Sequence, residues 1–183
     1  MQVTLARHAT LLVELDGTRF LVDPMLSERG ANPPVENTPR RRRNPLVPLS
    51  DVDLDHDAVL VTHRHTDHWD DWDDAVDPDT PVFCNPVEAD DFEADGLADV
   101  RPVSDAREFD SVTVRRTPAR HGRGEIAAAM APVCGFALAG SESLWLAGDT
   151  VWYDAVPETL SRDDLRDAVA DVAVPADGET ITL

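Results

Sequence analysis

The segment His63-Arg64-His65-Thr66-Asp67-His68 constrains this chain more than any other stretch. It places four candidate metal ligands directly after an apolar run, Ala58-Val59-Leu60-Val61. That run has the length and β-branched content of a buried strand ending near Thr62. Ligands at the end of a strand sit at the mouth of a fold. His63 and His65 are two apart and point the same way while the chain stays extended, and Asp67 and His68 follow a turn that can bring them to a second point nearby. This geometry suits two adjacent cations. Imidazole with carboxylate favours zinc, with manganese or iron as neighbours, and excludes a thiolate-only site. The alternative is a solvated His-rich loop, but four of the six histidines fall between His56 and His68, and three share the motif.

Composition narrows the function classes. A chain of 183 residues is expected to form one domain, residues 1–183, with a real core. The formal charge is −20, from 36 acidic and 16 basic residues, and every basic residue is Arg. Such a balance argues against a nucleic-acid partner or an anionic membrane surface. Disorder is also disfavoured, since 42% of residues are hydrophobic and fall in short periodic runs. Dense Asp and Glu suit a halophilic host, where salt screens self-repulsion. Cys84 and Cys134 are flanked by apolar residues and read as buried free thiols. There is no charged-then-apolar leader and no apolar run near the roughly 20 residues of a membrane helix, so a soluble, cytoplasmic protein is expected.

Taken in order, Val3 to Ala6, Leu11 to Leu15 and Arg19 to Val22 read as an antiparallel meander, with Asp16-Gly17 as a tight hairpin turn. His8, between the first two strands, is a hydrogen-bonded structural residue or an outer partner of the site. Asp23 ends the third strand, where it either caps a turn or accepts a proton from a ligand histidine and fixes its tautomer. Residues 25–50 lack periodicity and form a long loop carrying Arg40, Arg41, Arg42 and Arg43. These arginines could bind an anion, pair with surface carboxylates or meet another copy. The acidic segment His68 to Asp74 reads as a helix start, with Trp69 and Trp72 packing into the core. Pro81 to Cys84, Val100 to Val103 and Ser111 to Arg116 read as strands, and Val87 to Asp95 as a helix closed by Gly96. His121, after a strand end and beside Gly122, is a further candidate ligand. Gly135 to Ala139 and Leu144 to Ala147 should pair across Gly140-Ser141. Asp149 then follows a strand end as a metal ligand or a helix cap. Ser161 should cap a helix running through Leu165 and Val169, followed by strand-like runs at Asp171 to Pro175 and Thr180 to Leu183.

With these residues assembled, the chain resembles the metallo-β-lactamase superfamily, whose first motif is His-x-His-x-Asp-His. It looks most similar to the ascorbate-phosphate lactonase type, through Arg7-His8-Ala9-Thr10, Leu21-Val22-Asp23-Pro24, Asn44-Pro45-Leu46-Val47-Pro48, His121-Gly122-x-Gly124-Glu125 and Ala147-Gly148-Asp149-Thr150. The resemblance implies an α/β (α+β) fold, a four-layer αββα sandwich with metals at one edge of two sheets. By it, His63, His65 and His121 hold one metal, Asp67 and His68 the other, and Asp149 bridges them. It also implies a final histidine, yet none follows His121. A strand and a helix are therefore expected to be missing near Val156 to Thr159.

The expected function is a metal-dependent hydrolase holding one or two zinc ions, with Asp67 and Asp149 as catalytic carboxylates. A metal-activated water would attack a lactone, ester or phosphoester, and Arg40 to Arg43 would suit an anionic small-molecule substrate. The alternative is a shortened homologue with weak or single metal binding, serving as a binding or assembly protein. An unpaired sheet edge left by the missing strand would favour a homo-oligomer.

Overall fold

The computed structural model describes residues 1–34, 41–49, 51–130, 132–161 and 180–182. The chain opens with the expected meander, β1 (Gln2–Arg7), β2 (Thr10–Leu15) and β3 (Thr18–Val22). Asp16 and Gly17 both have positive φ (52° and 83°), the backbone that a two-residue hairpin needs to match strand twist. Three short parallel strands follow, β4 (Ala58–Leu60), β5 (Val82–Cys84) and β6 (Val100–Pro102). With β11 (Thr180–Thr182) they complete a seven-stranded mixed sheet ordered β11-β1-β2-β3-β4-β5-β6. The second sheet is antiparallel, ordered β10-β9-β8-β7, from β7 (Ala106–Phe109), β8 (Val112–Pro118), β9 (Cys134–Ala139) and β10 (Ser143–Leu146).

Side-chain alternation assigns each face. Phe20, Val22, Leu60 and Phe83 point between the sheets and meet Val112, Val114, Phe136 and Leu138 in one buried cluster. Leu21, Val59, Val61 and Val82 face outward, against Trp69, Ala89, Phe92 and Leu97. Both faces of β4 are thus covered, which explains its unbroken apolar run. Each such buried side chain contributes about 1.5–3 kcal/mol. A 3-10 turn at Pro86–Glu88 leads into α1 (Ala89–Ala94), and these form much of the outer layer. The result is a mixed α/β fold of two sheets with few helices. Among the described residues, no helix is long and apolar enough to cross a membrane.

Several local expectations are corrected. Residues 68–74 form turns, not a helix. Asp70 pairs with Met25 in a bridge, and its carboxylate accepts the N–H groups of Leu26 (2.6 Å) and Ser27 (3.2 Å), so the segment is held to the loop after β3. Trp69 and Trp72 still pack inward, stacked at 5.4 Å. Helices α2 (Glu125–Ala129) and α3 (Ala155–Leu160) were not expected, and α3 packs against β8. Ser161 is the C-cap of α3, and the helix expected to start after it lies outside the described residues. The runs expected at Leu165 to Val169 and Asp171 to Pro175 lie outside the described residues, as does Arg40.

Candidate metal centre

The candidate ligands sit just past strand ends. β4 runs into Thr62 and His63, both buried, and the backbone of Thr62 ties the two sheets together by accepting the Cys134 N–H at 3.0 Å. Asp23, following β3, donates its N–H to the Leu60 carbonyl (2.9 Å). Its carboxylate accepts the Thr62 N–H (2.7 Å) and hydroxyl (2.8 Å), and lies 2.9 Å from His68 Nδ1. The Asp23 carboxylate therefore fixes both the strand end and the His68 ring.

His121 and Asp149 come from the second sheet, after β8 and β10. Their segments are joined by two hydrogen bonds, Val151 N–H to the Arg120 carbonyl (2.9 Å) and Arg120 N–H to the Thr150 hydroxyl (3.0 Å). Gly148 makes the approach of Asp149 possible. Its φ is +60°, and a Cβ there would lie 2.7 Å from the Cys134 carbonyl oxygen. Asp149 consequently reaches both sides of the site, with Oδ2 at 3.1 Å from His121 Nε2 and Oδ1 at 3.3 Å from His68 Nε2.

Two groups of donors result. The ligand atoms of His63, His65 and His121 lie within 4.8 Å of one another, and so do those of His63, His68 and Asp149. The rings of His63 and His65 meet edge to face at 4.4 Å, and His65 and His121 at 5.3 Å. Asp67 belongs to neither group. His63 is fully buried and its Nε2 has no hydrogen-bond partner among the described residues. A buried imidazole nitrogen left unsatisfied is costly, and a cation would satisfy it. The donor set therefore fits a metal of the zinc, manganese or iron kind.

The electrostatics of the groups differ. Burial, with the charge on His68 and then His65, pushes His63 down to about 3. Burial and the neighbouring His121 also lower His65. His68 goes the other way. Burial opposes its charge, but hydrogen bonds to Asp149 and Asp23 outweigh that and raise it to about 10. The same bond to His68 holds the Asp149 carboxylate down at about 2.

Other expected residues have different partners. His8 Nε2 accepts the Leu46 N–H at 2.9 Å and so anchors the loop that follows β3. Arg43 donates to the carbonyls of Gly30 (2.6 Å) and Ala31, committing its guanidinium within that loop and not to an anion. Arg41 and Arg42 are exposed.

Three supporting residues escaped the sequence reading. Arg7 is fully buried and binds the carbonyls of Ser27 (2.9 Å) and Met25, while Thr10 bonds the Asp23 carbonyl (2.8 Å) and the Met25 N–H (3.0 Å). Together they set the turn that presents Asp23. Glu88, buried, accepts the N–H of Arg64 (3.1 Å) between the two motif histidines, and burial pushes its carboxyl up to about 7. The only sequence trace of the first two was the Arg7-His8-Ala9-Thr10 string; Glu88 left none.

Residues 18–177 match the Beta-lactamase superfamily domain. The chain belongs to the beta-lactamase superfamily. Within the superfamily it is 38% identical over 170 residues to the UPF0173 protein YddR of Bacillus subtilis, covering 87% of this chain and 67% of that protein. It is 30% identical over 159 residues to a UPF0173 metal-dependent hydrolase of Methanopyrus kandleri, covering 82% of this chain and 62% of the other. The chain thus spans about two thirds of the length of these curated relatives. Among solved superfamily structures, a possible metal-dependent hydrolase from Veillonella parvula matches with a TM-score of 0.88 at 26% identity, covering 100% of this chain and 99% of that one. An isothiocyanate hydrolase from Delia radicum gut bacteria matches with a TM-score of 0.80 at 32% identity, covering 87% and 67%.

Proposed function

We propose that this protein is a hydrolase acting on a small molecule at a carbonyl (lactone or ester) or phosphoester centre, with a cation, zinc by preference, held by His63, His65 and His121. The observation that carries the reading is the buried Nε2 of His63, without a hydrogen-bond partner among the described residues, in a cluster of three histidines whose ligand atoms lie within 4.8 Å of one another. A divalent cation supplies Lewis acidity and a water whose pKa falls from about 15.7 to near 7. Asp149, ionised and 40% exposed at its side chain, would orient an attacking water or take its proton. His68, gripped by Asp23, holds the other oxygen of Asp149 and, once deprotonated, would offer a second cation site with it. The names of the relatives, metal-dependent hydrolases and an isothiocyanate hydrolase, favour hydrolysis over a structural ion.

We further infer a likeness to the lactonase type and a shortfall against the longer relatives between Asp149 and Leu160. Here the described chain holds the six residues of α3 and no strand. The shortfall supports one rival, a binding protein without turnover. Elemental analysis of the purified protein, with assays on lactones, esters and phosphodiesters, separates the two. Near two metal equivalents with turnover is the expected result; less than one equivalent with none on any substrate contradicts it.

A further inference from the structure

On a chain carrying a charge of −20, exposed apolar side chains are informative. Among the described residues only three large hydrophobics are strongly exposed, Val87 (71%), Ile126 (64%) and Trp152 (66%). Two of them lie on the segments that carry the candidate ligands His121 and Asp149. Ile126 lies on α2, four residues past Gly122, and packs over that glycine, beside His121: a Cβ added there would meet Ile126 Cγ2 at 2.8 Å. α2 buries none of its residues, although its sequence, Glu-Ile-Ala-Ala-Ala, is mostly apolar. A helix of this composition usually hides one face. Trp152 lies three residues past Asp149, between two contacts with the segment of His121. Val151 N–H donates to the Arg120 carbonyl at 2.9 Å, and the Arg120 guanidinium sits over the Tyr153 ring at 4.4 Å. Both exposed groups are therefore carried on the two segments that supply His121 and Asp149, and these segments are joined at Arg120.

We propose that α2 and Trp152 form an apolar seat for the non-reacting part of the substrate, so that the site prefers a substrate bearing an alkyl chain to a small polar one. This rests on the hydrolase reading for what the bound molecule is, but the seat can be tested without turnover. Ligand sites are mostly apolar with a few convergent polar groups, and here the polar groups are the histidines and Asp149. The seat also fits the loop of Arg40 to Arg43 being no anion cradle in its Arg43 portion, since Arg43 is spent on Gly30 and Ala31.

The probes are acetate, butyrate, hexanoate and octanoate, the carboxylates that acyl esters release. Their affinity for the zinc-loaded protein is measured by calorimetry and tryptophan fluorescence, and kcat/KM is measured for the matching para-nitrophenyl esters. Affinity should rise with each added methylene by up to about four-fold until the seat is filled. Ile126→Ser with Trp152→Ser, both at exposed positions, should flatten that rise, with the largest loss for octanoate and the smallest for acetate. Val87→Ser, equally exposed but away from these segments, should leave the slope as it is. Affinity independent of chain length, or a slope that the double variant leaves intact, overturns the seat even if esters are hydrolysed. A rising, variant-sensitive affinity without hydrolysis of esters, lactones or phosphodiesters upholds the seat and overturns the hydrolase reading.

Discussion

The two halves of the proposed metal centre share His63, and within each the ligand atoms lie within 4.8 Å of one another, yet they are prepared in opposite ways. His63, His65 and His121 form a group in which burial and neighbouring imidazoles lower the pKa of His63 and His65, with a buried His63 nitrogen that no group satisfies among the described residues. His68 and Asp149 are already partnered with each other, and Asp23 holds the His68 ring from behind. One half is poised for a cation; the other must give up a proton to take one. The difference arises from carboxylates: two of them, Asp23 and Asp149, converge on His68.

The largest effect should come from removing the open half. His63→Ala combined with His121→Ala should bring tight metal binding and turnover to background in elemental analysis and activity assays, while unchanged metal content would show that the cation sits elsewhere. Next, Asp23→Asn should weaken the second cation by about 10- to 100-fold, because it loosens the His68 ring, and leave the first nearly untouched. Competition with a chelator reads both constants, and equal losses at both would erase the distinction between the halves.

A pH series sharpens the same contrast. Binding at His68 displaces a proton, so second-cation affinity should rise about tenfold per pH unit towards a pH of about 10, whereas His63, already neutral, gives the first cation a nearly flat profile near neutrality. Stability of the metal-free protein should run the other way. The folded pKa of His68 is raised from 6.5 to about 10, so its contribution is full below 6.5 and is lost as pH rises through about 10. Tm measured with chelator should therefore decline from neutral to alkaline pH. The smallest effect is expected at Glu88. Glu88→Gln keeps an acceptor for the Arg64 N–H and should change first-cation affinity by less than about three-fold, while Glu88→Ala, losing that bond, should cost about three- to ten-fold.

Much of the centre was legible in the sequence because ligand chemistry is local. Histidines and carboxylates directly after apolar runs declare themselves, and His63, His65, His68, His121 and Asp149 converge as that pattern implies. Support from distant backbone was not legible. Arg7 reads as an ordinary strand-end cation, and only the folded loop shows the Ser27 and Met25 carbonyls that it satisfies. The helix expected over residues 68–74 failed for the same reason, since Asp70 finds its partners in Leu26 and Ser27, far away in sequence. β7 has no buried position to create an alternating pattern, and α2 has no buried face to create a helical one. The two-sheet architecture survived these misses because the strands that pack between the sheets carry clear alternation.

The most direct test of a centre with one open and one proton-paired half is a zinc titration of metal-free protein by calorimetry in two buffers of different ionisation enthalpy. The expected result is a tight first equivalent whose heat does not depend on the buffer, then a weaker second equivalent that releases about one proton, as a protonated His68 requires. No binding, or a first equivalent that releases the proton and survives His63→Ala with His121→Ala, would contradict it.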